Sequence, residues 1–176
     1  MKNVYFLLLF VTPITTLSAQ IQKGTILLGG SLGFNNTNQD GENLTTINIS
    51  PSAGFFLSNR FAVGSSLNLS LTANDGFSAS TIGLGPFARY YFNNSGPARF
   101  FGQANVGFQA VFLGDNDGIG LLTSGLGIGA DFFLNDHVSI VGLLGYQRVQ
   151  SSRSEFNYGN IGLNFGIAAF IGGGRE

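Results

Sequence analysis

Few side chains in this sequence are of the kind that make or break bonds, and their spacing decides what they can do. The single histidine, His137, follows Asn135-Asp136. A metal or acid–base role there needs further imidazole or carboxylate groups at suitable spacing, and the neighbouring sequence supplies none. His137 is therefore read as a solvated turn residue. Ser151, Ser152 and Ser154 stand among Arg153 and Glu155, but an activated serine needs a histidine base and that segment has none. Asp115 and Asp117, in Gly-Asp-Asn-Asp-Gly, carry oxygens that suit calcium. They lack the full calcium loop and its closing acidic ligand, so the segment reads as a polar hairpin loop. No catalysis, cofactor or metal is expected.

A different role is suggested by charges placed on otherwise polar, small-residue faces. Arg89, Arg99 and Asp131, with Gln103 and Asn105, belong to segments whose opposite faces are apolar. If those faces line the inside of a closed sheet, Arg89 or Arg99 must pair with Asp131 or find water, because an unpaired buried charge is costly. The expected product is a polar network that plugs the interior.

The elements that must hold these groups are strands. Residues 54–64 and 131–142 repeat one design: Phe-Phe-Leu, a small polar turn, then alternating apolar residues. That is the pattern of a tight β-hairpin. Around these two units, period-two alternation predicts eight strands, at 24–34, 44–56, 61–73, 79–92, 99–112, 119–134, 138–149 and 157–171. Ile47, Ile49, Ala53 and Phe55 oppose Asn48, Ser50, Ser52 and Gly54, and Ile161, Leu163, Phe165 and Ile167 oppose Asn160, Gly162, Asn164 and Gly166. Two segments are irregular. Pro86 cannot donate a ladder hydrogen bond, and 138–149 alternates poorly because Val141 and Leu143 compete with Val138, Ile140 and Leu144.

Composition says where such a sheet belongs. Only 10% of the 176 residues are charged, while Gly reaches 27 and Phe 18, too few ionic groups for an ordinary soluble surface. A net charge of -1 offers no footprint for nucleic acid, and the absence of cysteine removes disulfides and thiolate metal sites. A soluble barrel turns its polar face outward, but here that face is rich in glycine and nearly free of Lys and Glu, which suits a narrow interior. Each segment reaches the roughly 9–11 residues of a tilted membrane strand. The expected fold is all-β, a single eight-stranded antiparallel up-and-down transmembrane β-barrel, closed so that no sheet edge meets hydrocarbon. The clusters Phe55-Phe56, Tyr90-Tyr91-Phe92, Phe100-Phe101 and Phe132-Phe133 are expected to form an interfacial girdle.

The start of the chain reads as an export signal over 1–19: Lys2, an apolar run from Val4 to Val11, and Leu17-Ser18-Ala19 before Gln20. The barrel domain is then 20–176. Export delivers the chain to the periplasm, so both termini are expected there, with outer loops at 35–43, 74–78, 114–118 and 150–156 and periplasmic turns at 57–60, 93–98 and 135–137. Asn36, Asp40, Glu42, Asp115 and Asp117 mark the loops most available to a surface partner.

Gly-Pro-Phe-Ala-Arg-Tyr-Tyr-Phe at 85–92, Phe-Gly-Gln-Ala-Asn-Val-Gly at 101–107 and the two Phe-Phe-Leu turns resemble those of small bacterial outer-membrane β-barrel proteins, especially the barrel domain common in Bacteroidetes. The resemblance spans nearly the whole mature chain and implies the cell outer membrane, contact with outer-membrane lipid, and handling by the barrel-assembly machinery. It carries no enzymatic residue set. The terminal aromatic read by that machinery in many such barrels is displaced here, since Gly172-Gly173-Gly174-Arg175-Glu176 follows Phe170. Three roles stay open: a structural or surface-interaction barrel with a plugged interior, a narrow passive pore, and a secreted soluble barrel binding a small hydrophobic ligand.

Overall fold

The computed structural model describes residues 21–39, 42–74, 77–93, 95–113, 118–151 and 157–172. Its strands are β1 (Ile26–Gln39), β2 (Glu42–Ser58), β3 (Phe61–Asn74), β4 (Phe77–Tyr91), β5 (Ala98–Leu113), β6 (Ile119–Phe133), β7 (Val138–Ser151) and β8 (Tyr158–Ile171). Each pairs antiparallel with the next in sequence, and β8 returns to β1 to close an eight-stranded up-and-down barrel. Closure is what the alternation requires, because one apolar and one small polar face per strand make a barrel wall with an oily outside and a tight inside.

The two faces are separated as expected. Leu32, Phe108, Leu126 and Ile161 project outward and are 69% to 76% exposed, with a belt of other large apolar side chains around them. A contiguous apolar surface of that extent is foreign to a soluble monomer. Inward lie Asn48, Ser66, Asn68, Gln103 and Asn105.

The register of β7 is now fixed: Val138 opposes Ala169, and Asp131 opposes Val141. Ser139 points inward and is fully buried, while Val141 and Leu143 pack against the internal apolar cluster. Alternation fails in this strand because both of its faces meet apolar surroundings, lipid-like outside and a ring cluster inside.

The aromatic pairs require a correction. They straddle the wall. Phe55, Tyr90, Phe100 and Phe132 lie outside, whereas Phe56, Tyr91 and Phe101 are wholly buried inside and Phe133 packs there too. Four of the nine aromatics of the expected girdle therefore form an internal plug: Phe56 packs at 5.5 Å from Tyr91 and 6.2 Å from Phe170, Tyr91 at 5.5 Å from Phe101, and Phe133 at 4.9 Å from Phe170.

The expected loop at 35–43 also changes. Residues 35–39 and 42–43 continue the β1–β2 ladder, with Asn36 opposite Thr45 and Gln39 opposite Glu42, so these two strands form a long ribbon. The polar composition that suggested a loop does not prevent antiparallel pairing of backbone groups. At the opposite end the hairpins are tight. Asn59–Arg60 joins β2 to β3. Asn93 closes the next turn, accepting from Phe100 N at 2.7 Å and donating to Ser95 O at 3.0 Å and Ala98 O at 2.8 Å. Asn135 Oδ1 accepts from both His137 N and Val138 N at 2.8 Å.

Residues 21–25 tuck under this same end. Gly24, at a φ of 91° that favours glycine, donates to Phe56 O, and Phe56 N returns a bond to Thr25 O, both at 2.9 Å. Ile21, 5% exposed, is thereby set against the buried rings.

Candidate functional site in the barrel interior

From the terminal end upward, the interior has a floor of rings, a charged layer and a polar cavity. The charged layer starts from strand alternation: Arg89 and Tyr91 on β4, Gln103 on β5, Asp131 on β6 and Ser139 on β7 all occupy inward positions at similar height. Arg89 Nε donates to Gln103 Oε1 at 2.9 Å, and Arg89 Nη1 donates to Tyr91 Oη at 3.2 Å. The Tyr91 hydroxyl donates to Asp131 Oδ2 at 2.6 Å, and Ser139 Oγ donates to Asp131 Oδ1 at 2.9 Å. Arg89 Nη1 stands 3.5 Å from Asp131 Oδ2.

Both carboxylate oxygens thus have donors, the condition under which a buried ion pair is tolerable. The guanidinium lies 4.0 Å from the Phe101 ring centroid and 5.8 Å from that of Phe87, so its faces are covered by rings. Opposite charges paired this closely, with donors on both carboxylate oxygens, make a rigid layer.

Of the five residues expected to form a lumenal network, the structure joins Arg89, Gln103 and Asp131. Asn105 sits above them on the cavity wall. Arg99 stays apart. Although Arg99 and Asp131 are cross-strand partners in the ladder, the Arg99 guanidinium lies 4.6 Å over the Phe133 ring, and its three nitrogens have no hydrogen-bond partner among the described residues. Asp131 is instead met from β4, by Arg89, whose guanidinium lies over the inward Phe101 ring of β5. Tyr91 and Ser139 were not anticipated as members. Tyr91 was findable, since it shares a face with Arg89 two residues away; Ser139 was not, because the register of its strand was open.

His137 does more than face solvent. Its carbonyl accepts from Phe170 N at 2.7 Å and its Nδ1 lies 3.2 Å from Phe170 O, so the β6–β7 turn is fastened to β8. Asp40, Asp115 and Asp117 lie outside the described residues. Asn36 and Glu42 lie within the ribbon backbone of β1 and β2.

Above Arg89 the interior opens into a cavity of about 370 Å³. Its wall mixes hydroxyl and amide groups, among them Ser50, Ser66, Asn68, Asn105 and Gln147, with glycines and apolar side chains such as Phe87 and Leu143, and Arg89 lines it as well. Such a space offers hydroxyl and amide donors and acceptors beside the Arg89 guanidinium.

Fold comparison agrees with this geometry. The chain is similar to Neisserial surface protein A, with a TM-score of 0.61 at 12% identity over 84% of this chain and 97% of that one. It is similar to the outer membrane protein OprG from Pseudomonas aeruginosa, with a TM-score of 0.56 at 11% identity over 87% and 98%. The N-terminal β-barrel domain of Pseudomonas aeruginosa OprF gives 0.52 at 14% identity over 85% and 98%. At these identities the likeness is one of fold: the chain has the eight-stranded architecture of bacterial outer-membrane barrels. No protein-family model and no curated protein matches it in sequence.

Proposed function

We propose that this chain is a non-enzymatic outer-membrane barrel whose floor is sealed and whose role is structural or a matter of surface interaction. The observation that carries this reading is the inversion of the two faces: large apolar side chains form the exterior while the charged pair Arg89–Asp131 is inside. A bilayer rewards that arrangement and water penalises it. The same inversion argues against a secreted soluble barrel. The stacked rings of Phe56, Tyr91, Phe101 and Phe170, with Ile21 beneath them, occupy the path an ion would take, which argues against a passive pore.

Both termini then lie in the periplasm and the β1–β2 ribbon stands at the cell surface. Affiliation with the Bacteroidetes-type barrel domain rests on the segments at 85–92 and 101–107. The test is reconstitution. Full-length mature protein should stay with membranes through urea washing, shift its gel mobility on heating, and give no steady conductance in a planar bilayer. Partition into the soluble fraction would overturn the location, and a steady conductance would replace the plugged barrel by the pore.

A further inference from the structure

The barrel is closed along only part of its last seam. Neighbouring strands elsewhere are matched over eleven to fourteen residue pairs, but β1 and β8 over six, from Ile26–Ile171 to Ser31–Gly166. Both strands continue past that point. Leu32 to Gln39 remain paired with β2, and Tyr158 to Phe165 with β7. The wall therefore splits between two intact strands, leaving their facing backbone edges unmatched.

Three observations show that the split reaches the interior. Asn160, Gly162 and Asn164 point inward by alternation yet are exposed, whereas Asn48, Asn68 and Asn105 on closed parts of the wall are half-buried. The cavity is lined by Gly29, Gly30 and Ser31 of β1 and by Asn160, Gly162, Asn164 and Gly166 of β8, so it runs to the foot of the split. The rim of the split is apolar outside, where Leu32 and Ile161 are among the most exposed side chains. Six matched pairs on a strand tilted by about 45° account for roughly 14 Å of height, about half of a 25 Å apolar band. The opening consequently faces the leaflet away from the termini.

An unmatched strand edge in hydrocarbon is expensive unless something polar meets it. The geometry points to a lateral binding site: a single-chain amphiphile with an uncharged, hydroxyl-bearing head sits with the head in the cavity and the chain passing through the β1–β8 split into the outer leaflet. Asn and Ser side chains match such a head, and Arg89, the charged side chain among the described lining residues, is already engaged by Gln103, Tyr91 and Asp131. The volume is in the range of a small-ligand pocket. With its floor filled by rings, the cavity receives a ligand and does not conduct it across. This inference rests on the membrane reading above.

The test uses the mature barrel in phosphatidylcholine nanodiscs, with 1-monodecanoylglycerol as probe and backbone amide NMR as readout. Saturable shifts are expected at Asn48, Ser66, Asn105 and Asn164, and a spin label on the probe's chain should broaden Leu163 and Phe165. The chain has no native cysteine, so Leu32→Cys with Phe165→Cys can be cross-linked to zip the split. Oxidation should weaken binding at least tenfold, and reduction should restore it. Equal affinity in both states overturns the lateral route, and no saturable shift in the unmodified protein overturns the site. Should the double variant not fold, the unmodified chain still decides: a spin label near the headgroup of bulk lipid should broaden Asn164 more than Asn48, and equal broadening sinks the split. A chain that fails to give a heat-modifiable barrel takes the membrane reading down as well; one that inserts without binding the probe loses only this site.

Discussion

At the scale of single residues, stability is concentrated in Asp131. It is fully buried, and Tyr91, Ser139 and Arg89 all converge on its two oxygens. Replacing it by Ala strands the Arg89 cation among rings, so Asp131→Ala should cost about 3–5 kcal/mol, read as a lower urea midpoint for loss of the heat-modifiable band. Tyr91→Phe removes one buried donor and leaves the pair, so about 1–3 kcal/mol is expected. Equal losses for the two variants would mean that the pair is not what holds the layer. Glycine is the other half of this packing. A Cβ at Gly129 would stand 2.5 Å from the Phe101 ring and against the Gly142 carbonyl. Gly129→Ala should therefore cost about 1–3 kcal/mol by overpacking, visible as a lower urea midpoint. The inward positions of Arg89 and Asp131 were legible from alternation alone. Which arginine takes the carboxylate was not, because Arg99 is the ladder partner of Asp131 and only the folded packing shows its guanidinium over Phe133 and that of Arg89 over Phe101.

At the scale of elements, the tight turns differ in how they are fastened. Asn93 makes three side-chain bonds across its turn and Asn135 accepts two. Each such bond contributes on the order of 1 kcal/mol net, so Asn93→Ala should lower the unfolding midpoint more than Asn135→Ala; the reverse order would deny the side chains this role. Both turns were readable as turns from their Asn-rich sequence. The strands were readable wherever one face was oily and the other small, as in β2 and β8. The signal vanished in β7, where Val141 and Leu143 face other apolar groups inside. It misled at 35–39, where a polar sequence concealed a backbone that pairs regardless.

At the scale of the whole molecule, the outward belt makes a claim that substitution can check. Leu126 lies at the middle of β6, points away from the interior and is 69% exposed. On a water-facing surface Leu126→Arg would be nearly neutral. Facing the midplane of a bilayer it should cost about 2–4 kcal/mol, measured as folding equilibrium in lipid vesicles. A cost near zero there would remove the belt from the hydrocarbon. The eight-strand closure was legible because strand count and two-faced alternation are properties of the sequence. The incomplete β1–β8 seam was not, since β8 alternates as regularly beside the split as below it and β1 turns polar only from Asn35, so pairing alone shows where the two strands part.

The tandem aromatics carry a further consequence for assembly. A Phe-Phe or Tyr-Tyr pair reads almost the same from either side of the wall, so by itself it tolerates a one-residue slip that exchanges inside for outside. Three of the four pairs are immediately preceded by a charge: Arg89 before Tyr90-Tyr91, Arg99 before Phe100-Phe101 and Asp131 before Phe132-Phe133. A slip in any of these strands would push that charge into lipid while leaving the rings content. The charges thus act as proofreading marks, and an insertion of one residue ahead of Phe100 should be rejected during folding chiefly through Arg99, even though Arg99 makes no hydrogen bond to the described residues in the finished barrel.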